Sequence, residues 1–508
     1  MKNVKDAKIA IVGAGAMGQG IAQIAAIAGL EVKLLDIDSG ASAKAIDAIG
    51  SMLGKLAAKG KMTTEQAEAA RRRINAEVSV AGLADCDLVI EAIVEKLEVK
   101  RSLFAQLEQV VRNDAVLVSN TSSLSITSIA AGCRHPERVA GFHFFNPVPL
   151  MKVVEVVRGL RSSDGIIDWL VVLASQLGHT AVRCRDMPGF IVNHAGRALN
   201  TEGLRIVQEG VTEESTVDAV VREQMGFRMG PFELLDLTGL DVSHPVMESI
   251  YRQFYEEPRF RPSPITALRL SGGMLGRKSG SGFYEYDGGK KLQERVLTAA
   301  APAWEPCPVW ISSRHPNEAK LVRDLLQTCG IEVEDGEAPS SDALTIVTPL
   351  GHDATTCAAA ESLDATRVVA VDTLCGLEQG LRRVIMPTPA TNKNMLMRAR
   401  AMFAVDGTPV SVIRDSGGFV AQRILACVVN TACEIAQQRI ATPEDIDAAV
   451  RLGLGYPLGP LALGDRIGAE RILGVLKGLV DVYGDPRYRP GVWLARRAKL
   501  RLPLGAPD

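Results

Sequence analysis

His143 and Glu155 stand twelve residues apart in HFFNPVPLMKVVEVV (143–157), the glutamate inside an otherwise apolar run. Strand alternation puts Met151, Val153, Glu155 and Val157 on one face. A lone carboxylate among such neighbours is costly unless something pairs with it. The prolines of NPVPL cannot continue a ladder, so 138–145 and 152–157 are expected to form a hairpin centred near residue 149. That register sets His143 opposite Glu155, with Cβ atoms roughly 5 Å apart. A carboxylate there fixes the imidazole tautomer and leaves the second ring nitrogen facing a cleft, suited to taking a proton from an alcohol. A structural ion pair closing a sheet edge would give the same pattern.

The elements that position such a pair begin at residue 8. KIAIVGAGAMGQGIAQIAAIAGL (8–30) reads as strand, glycine turn and helix, with Gly13, Gly15 and Gly18 in G-x-G-x-x-G spacing. The first glycine permits the tight turn, the second lets a pyrophosphate approach the backbone, and the third lets helix pack on strand. The turn and helix start, Gly13, Ala14, Gly15, Ala16, Met17 and Gly18, then offer N–H groups to the phosphates. The next strand, EVKLLDID, carries Asp36, eighteen residues beyond Gly18. An acid there accepts from a ribose 2′-hydroxyl and repels a 2′-phosphate, favouring NAD over NADP. Further strands are expected at 87–93, 115–122, 138–145 and 152–157. Strands alternating with helices make an α/β, Rossmann-type doubly wound sheet, with ligands at the carboxyl ends of the strands. Glu91, Glu95, Ser119, Asn120, Thr121, Ser122, His143 and Asn146 all fall at or just past such ends.

The bulk numbers narrow the function classes. The 508 residues allow three or four domains, and 47% hydrophobic with 23% charged residues describes an ordinary globular protein. A net charge of −2 gives no basis for nucleic-acid or membrane binding. Nine cysteines without a C-x-x-C pair argue against a zinc site or disulfide framework, so no metal is expected. The early first strand and the lack of long apolar runs point to a cytoplasmic protein without signal peptide. No G-x-S-x-G elbow surrounds the serines of SNTSSLS, which argues against a hydrolase.

At these residues the chain resembles the short-chain L-3-hydroxyacyl-CoA dehydrogenases, NAD-linked enzymes of β-oxidation. The matching runs are GAGAMGQGIAQ, EAIVEKLEVK, SNTSSLSITSIA, GFHFFNPVPLMKVVEVV, DMPGFIVN and GPFELLDLTGLD, in family order across about 1–285. The resemblance implies NAD-dependent oxidation of an (S)-3-hydroxyacyl-CoA thioester. It implies His143 as general base, Glu155 as its orienting partner, and Ser122 and Asn193 as the groups holding the substrate oxygen. It also implies Glu95, Lys100, Asn146 and Lys278 in the cofactor site and Lys59 near the CoA. Chain length and tandem helical domains resemble bacterial enzymes of phenylacetate catabolism acting on 3-hydroxyadipyl-CoA. Enzymes acting on 3-hydroxybutyryl-CoA are the alternative, and no residue chooses between them. A dehydrogenase of free hydroxy acids, or a non-catalytic NAD-binding protein of the crystallin type, would share the fold. Activity on thioesters separates the first, and loss of the dyad would mark the second.

From RDMPGFIVN (185–193) the pattern turns helical, with helices expected at 190–209, 213–225, 231–239 and 243–256. RDSGGFVAQRIL (414–425) echoes RDMPGFIVNHAG (185–196), and GPLALGDRIG (459–468) echoes GPFELLDLTG (230–239), both at an offset of 229. The helical domain is therefore duplicated. The expected layout is an NAD-binding domain over 1–184, an all-α domain over 185–291, a linker over 292–308, a degenerate Rossmann-like copy over 309–410 and a second helical domain over 411–508. The copy lacks the glycine fingerprint, VIMPTPATNKN is expected to stand where GFHFFNPVPLM does, with no histidine after that strand, and His315 and His352 are expected to be packing or surface residues. Two tandem helical copies could form an internal pseudo-dimer; a homo-oligomer is the alternative.

Overall fold

Runs such as LVIE and VLVS are buried at every position, as befits strands covered on both faces of a parallel sheet. In the computed structural model, which describes residues 3–38, 40–292 and 302–506, they join an eight-stranded sheet. Its strands are β1 (Lys8–Val12), β2 (Glu31–Leu35), β3 (Ile74–Glu77), β4 (Leu88–Glu91), β5 (Val116–Ser119), β6 (Val139–Phe144), β7 (Val153–Arg158) and β8 (Thr180–Arg185). Their spatial order is β3-β2-β1-β4-β5-β6-β7-β8. All neighbours are parallel except β6 and β7. Helices α1 (Ala16–Ile27), α2 (Ala41–Ala58), α3 (Thr64–Arg72), α4 (Leu97–Val110), α5 (Ile126–Ala130) and α6 (Asp164–Gln176) complete the α/β layers. Ile21, Ile24, Ile46, Ile49 and Leu170 share one core with the strands. Each such side chain contributes about 1.5–3 kcal/mol by leaving water.

The chain divides into two compact units. The first runs to His194 and takes in Ile435–Gly455, a segment expected within the second helical domain. The physical reason is that β8 is an edge strand whose pairing groups need cover. The Arg185 amide donates to the Ile440 carbonyl at 2.8 Å, and a helix from that segment packs on β7 and β8. Within it Gly453 lies so close to Val192 and Val153 that a side chain there would press on both.

The second unit comprises Ala195–Glu434 with Tyr456–Ala506. The first helical copy supplies α7 (Val192–Gln208), α8 (Glu214–Glu223), α9 (Pro231–Thr238), α10 (Leu240–Gln253) and α11 (Pro264–Ser271), then a small hairpin of β9 (Tyr286–Asp287) and β10 (Lys290–Lys291). The linker expected at 292–308 falls largely outside the described residues. A five-stranded sheet follows: β11 (Val309–Ile311), β12 (Leu344–Val347), β13 (Val368–Val371), β14 (Arg383–Pro387) and β15 (Val410–Val412), in that spatial order. It carries α12 (Pro316–Thr328), α13 (Ala354–Ala360) and α14 (Lys393–Phe403). The second helical copy is α15 (Val420–Gln437), α16 (Pro443–Leu454), α17 (Pro460–Ile467), α18 (Ala469–Tyr483) and α19 (Val492–Leu500), with α16 the helix on β7 and β8.

The offset of 229 extends through the second sheet. Strands β12 to β15 repeat β5 to β8 in order and direction, including the antiparallel step between β13 and β14. Asp186 binds the amides of Ile126 and Thr127 at the start of α5, and Asp415 binds those of Ala354 and Thr355 at the start of α13. Arg414 donates its amide to the Val211 carbonyl, as Arg185 does to Ile440. Before β12 the correspondence jumps. CGIEV (329–333) after α12 matches AGLEV (28–32) after α1, with Gly29 and Gly330 both at positive φ. The second copy thus goes directly from the counterpart of α1 to that of β5. It omits everything that corresponds to α2, α3, β3, β4 and α4.

Candidate active site

The β6–β7 register pairs His143 with Glu155, as the hairpin pattern predicts. The His143 Nδ1 lies 2.6 Å from Glu155 Oε2, and both residues are buried. The other carboxylate oxygen accepts the amides of Ile191 and Val192 at 2.9 and 2.8 Å, where α7 begins. Both oxygens are therefore satisfied, which answers the cost of burying a charge in this strand. The ring packs between Phe145 and Phe190, leaving Nε2 as the nitrogen able to accept a proton. Those two amides are functional groups that side-chain reasoning missed; the DMPGFIVN run was their only signal.

Asn193 stands in the first turn of α7, and its Nδ2 donates to the Ser122 carbonyl at 3.3 Å. The structure thus brings His143, Glu155, Ser122 and Asn193 onto the ends of β5, β6 and β7 and the start of α7. Glu95 gathers the loop that carries Ser122: its Oε1 accepts Thr121 Oγ1 at 2.5 Å and the amides of Ser122 and Ser123 at 2.9 and 3.1 Å. Burial works against its charge, but the Lys100 ammonium and these bonds outweigh it and hold the carboxyl below the usual range. Lys100 is almost wholly buried, 3.2 Å from Glu95 and 2.5 Å from Glu91.

The fingerprint turn fits a dinucleotide. Gly13, at φ +112°, would drive a side chain into the Ala92 carbonyl, and Gly18 would drive one into Gly13 itself. At Gly15 there is open space where a side chain would stand, as a phosphate approaching the backbone at the start of α1 requires. Ala14, Ala16 and Met17 lie between these glycines. Asp36 directly follows β2, its Oδ2 accepting the Ala14 amide at 2.6 Å, which ties the acid to the turn. Asn146 is exposed on the loop after β6 and lines a groove of about 800 Å³ with α1, α2, Lys61 and Lys152. Lys59 is exposed at the C-terminal cap of α2, while Lys61, two residues on, lines the groove. Lys278 lies in the second unit, paired with Asp241.

The second copy has no equivalent of this chemistry. At the offset of 229, His143 corresponds to Asp372, Glu155 to Val384, Asn193 to Gln422 and Ser122 to Gly351. Gln422 bonds Asp372 at 3.1 Å and the Gly351 amide at 2.8 Å, and a polar node without an imidazole fills the place. His315 caps α12, and His352 sits 3.1 Å from Asp481. The groove recurs beside α12, about 530 Å³, but Asp324, Glu378 and Asp406 line it in place of lysines.

A nucleotide crevice with a proton acceptor set at its edge defines a dinucleotide-linked dehydrogenase. Comparison with known proteins names the family. Residues 8–187 match the NAD binding domain of 3-hydroxyacyl-CoA dehydrogenase, and 189–286 and 418–503 match its C-terminal domain twice over. The chain belongs to the 3-hydroxyacyl-CoA dehydrogenase family. It is 38% identical to a 3-hydroxyadipyl-CoA dehydrogenase of Escherichia coli over 97% of both chains. It is 38% identical to a 3-hydroxybutyryl-CoA dehydrogenase of Bradyrhizobium diazoefficiens, over 57% of this chain and 98% of the relative. The crystal structure of 3-hydroxybutyryl-CoA dehydrogenase from Escherichia coli superposes with a TM-score of 0.86 at 36% identity, covering 97% of this chain and 98% of that one.

Proposed function

We propose that the chain oxidises the 3-hydroxyl of an (S)-3-hydroxyacyl-CoA to the 3-oxo thioester with NAD as cofactor. The observation that carries this is the His143–Glu155 pair, with Nε2 free at the carboxyl edge of a sheet whose fingerprint turn is open at Gly15. NAD, when bound, supplies the acceptor for the two electrons lost by the carbinol. His143 Nε2 removes the hydroxyl proton, and Glu155 holds the ring and offsets the charge that forms. Ser122 and Asn193 orient the reacting oxygen, which lowers the barrier by fixing geometry in advance. Gly13 to Gly18, Asp36, Glu95 and Asn146 form the cofactor site of the first unit.

The groove along α1 suits the CoA arm: its walls are apolar, and Lys61 and Lys152 offer charge to phosphates, with Lys59 nearby in sequence. The acidic groove of the second copy would repel the same phosphates, and that copy has no base, so each chain has one active site. The full-length relative that acts on 3-hydroxyadipyl-CoA favours that substrate, and 3-hydroxybutyryl-CoA is the second reading. We place the reaction in the cytoplasm and in phenylacetate catabolism on the same ground. No helix among the described residues is long and apolar enough to cross a membrane.

The test is NADH absorbance across a series of (S)-3-hydroxyacyl-CoA thioesters that includes the ω-carboxylated six-carbon one. Turnover of thioesters, best with the carboxylated tail, is the expected result. Turnover of free hydroxy acids alone would overturn the reading.

A further inference from the structure

Glu91 is fully buried at the carboxyl end of β4, and no step above uses it. Its Oε1 accepts Lys100 Nζ at 2.5 Å and the Ile93 amide at 2.8 Å, and its Oε2 accepts Ser119 Oγ at 2.6 Å. Lys100 in turn spends its three donors on Glu91, on Glu95 and, at 3.5 Å, on the Ile93 carbonyl. Glu95, held from behind in this way, turns its other oxygen to Thr121, Ser122 and Ser123. The contacts form one chain from the sheet to the catalytic serine: Glu91, Lys100, Glu95, Ser122.

We infer that Glu91 is a positioning residue for the dehydrogenase reaction, fixing Ser122 through Lys100 and Glu95. Lys100 is the link that carries the charge of Glu91 to Glu95. Charge arrangement explains why a carboxylate is needed. Glutamine at 91 has one acceptor oxygen for three donors, and leaves the ammonium with Glu95 as its only counter-charge. Glu95 would be drawn towards Lys100 and away from the loop. The internal repeat agrees. The segment missing from the second copy contains the counterparts of Glu91, Glu95 and Lys100, and there Gly351 stands in the place of Ser122.

This inference rests on the proposed reaction, and the test separates the two. Glu91→Gln should lower kcat by about 10- to 100-fold with KM for the thioester little changed, as expected for misplacement of an orienting group. Because Glu91 acts through Ser122, Glu91→Gln combined with Ser122→Ala should lose no more than the worse single variant. Losses that multiply would mean a merely structural role and overturn the inference. Should Glu91→Gln fail to fold, Ser119→Ala removes one bond to Glu91 and no charge, and is read in the same cycle. A second readout needs no substrate: amide exchange at Ser122 and Ser123 should quicken in the variant while that of β5 does not. Unchanged protection at these two amides would overturn the inference whatever the enzyme turns over. Absence of wild-type turnover on any thioester would instead overturn the functional reading.

Discussion

At the residue scale, the account rests on a histidine whose partner is satisfied on both sides. Glu155→Gln would place an amide N–H against Nδ1 and favour the tautomer protonated on Nε2, which cannot accept a proton. We predict a kcat loss of about 10²- to 10⁴-fold, measured at substrate saturation. NADH affinity should be nearly unchanged, since Glu155 touches none of the fingerprint turn. The His143–Glu155 pairing was legible because a proline-bounded hairpin fixes register, and register fixes which side chains meet. The amides of Ile191 and Val192 were not legible. They reach Glu155 only because α7 starts against β7, with Phe190 at a φ of +49° on the way in. That approach is a tertiary event without a local pattern. Lys100 is a similar case: nothing local in the sequence shows that its ammonium is buried between Glu91 and Glu95.

At the element scale, the loop after β5 depends on one carboxylate. The Glu95 carboxyl is held below its unfolded range, so its contribution is complete above about pH 4.5 and is lost as pH falls through the lowered value. Thermal melts across that window should show wild type losing Tm more steeply with acid than Glu95→Gln. Parallel slopes would mean the carboxylate does not order the loop. Strands β1, β4, β5 and β6 were legible as apolar runs of the right length. Strand β3, INAE, is buried only at Ile74, and β8, TAVRCR, alternates as a half-covered edge strand. Neither stands out from a loop by composition, and both are made strands by the neighbours they pair with.

At the scale of the whole molecule, duplication was legible from two collinear echoes at one offset, but its consequences were not. A repeat in sequence does not say which copy covers which. In the first unit α16 of the second copy lies on β7 and β8. In the second unit Arg382, just before β14, reaches Glu223 of α8 at 2.8 Å. Each sheet thus meets a helix of the other copy, and the two helical copies are joined by Arg423, fully buried against Glu202 at 2.7 Å. Removing one partner of such a buried pair costs about 3–5 kcal/mol, so Glu202→Ala should lower Tm markedly, as read by calorimetry. A chain ending at residue 292 lacks α16 and should self-associate or aggregate, which light scattering beside the full chain would show. A stable, monodisperse monomer of that fragment would contradict this.

One imidazole is proposed to take the substrate's proton at the crevice edge, and His143→Gln tests this most directly. Turnover of a 3-hydroxyacyl-CoA should fall by about 10²- to 10⁴-fold while NADH binding, followed by nucleotide fluorescence, stays at the wild-type level. Turnover close to wild type in that variant would contradict the account.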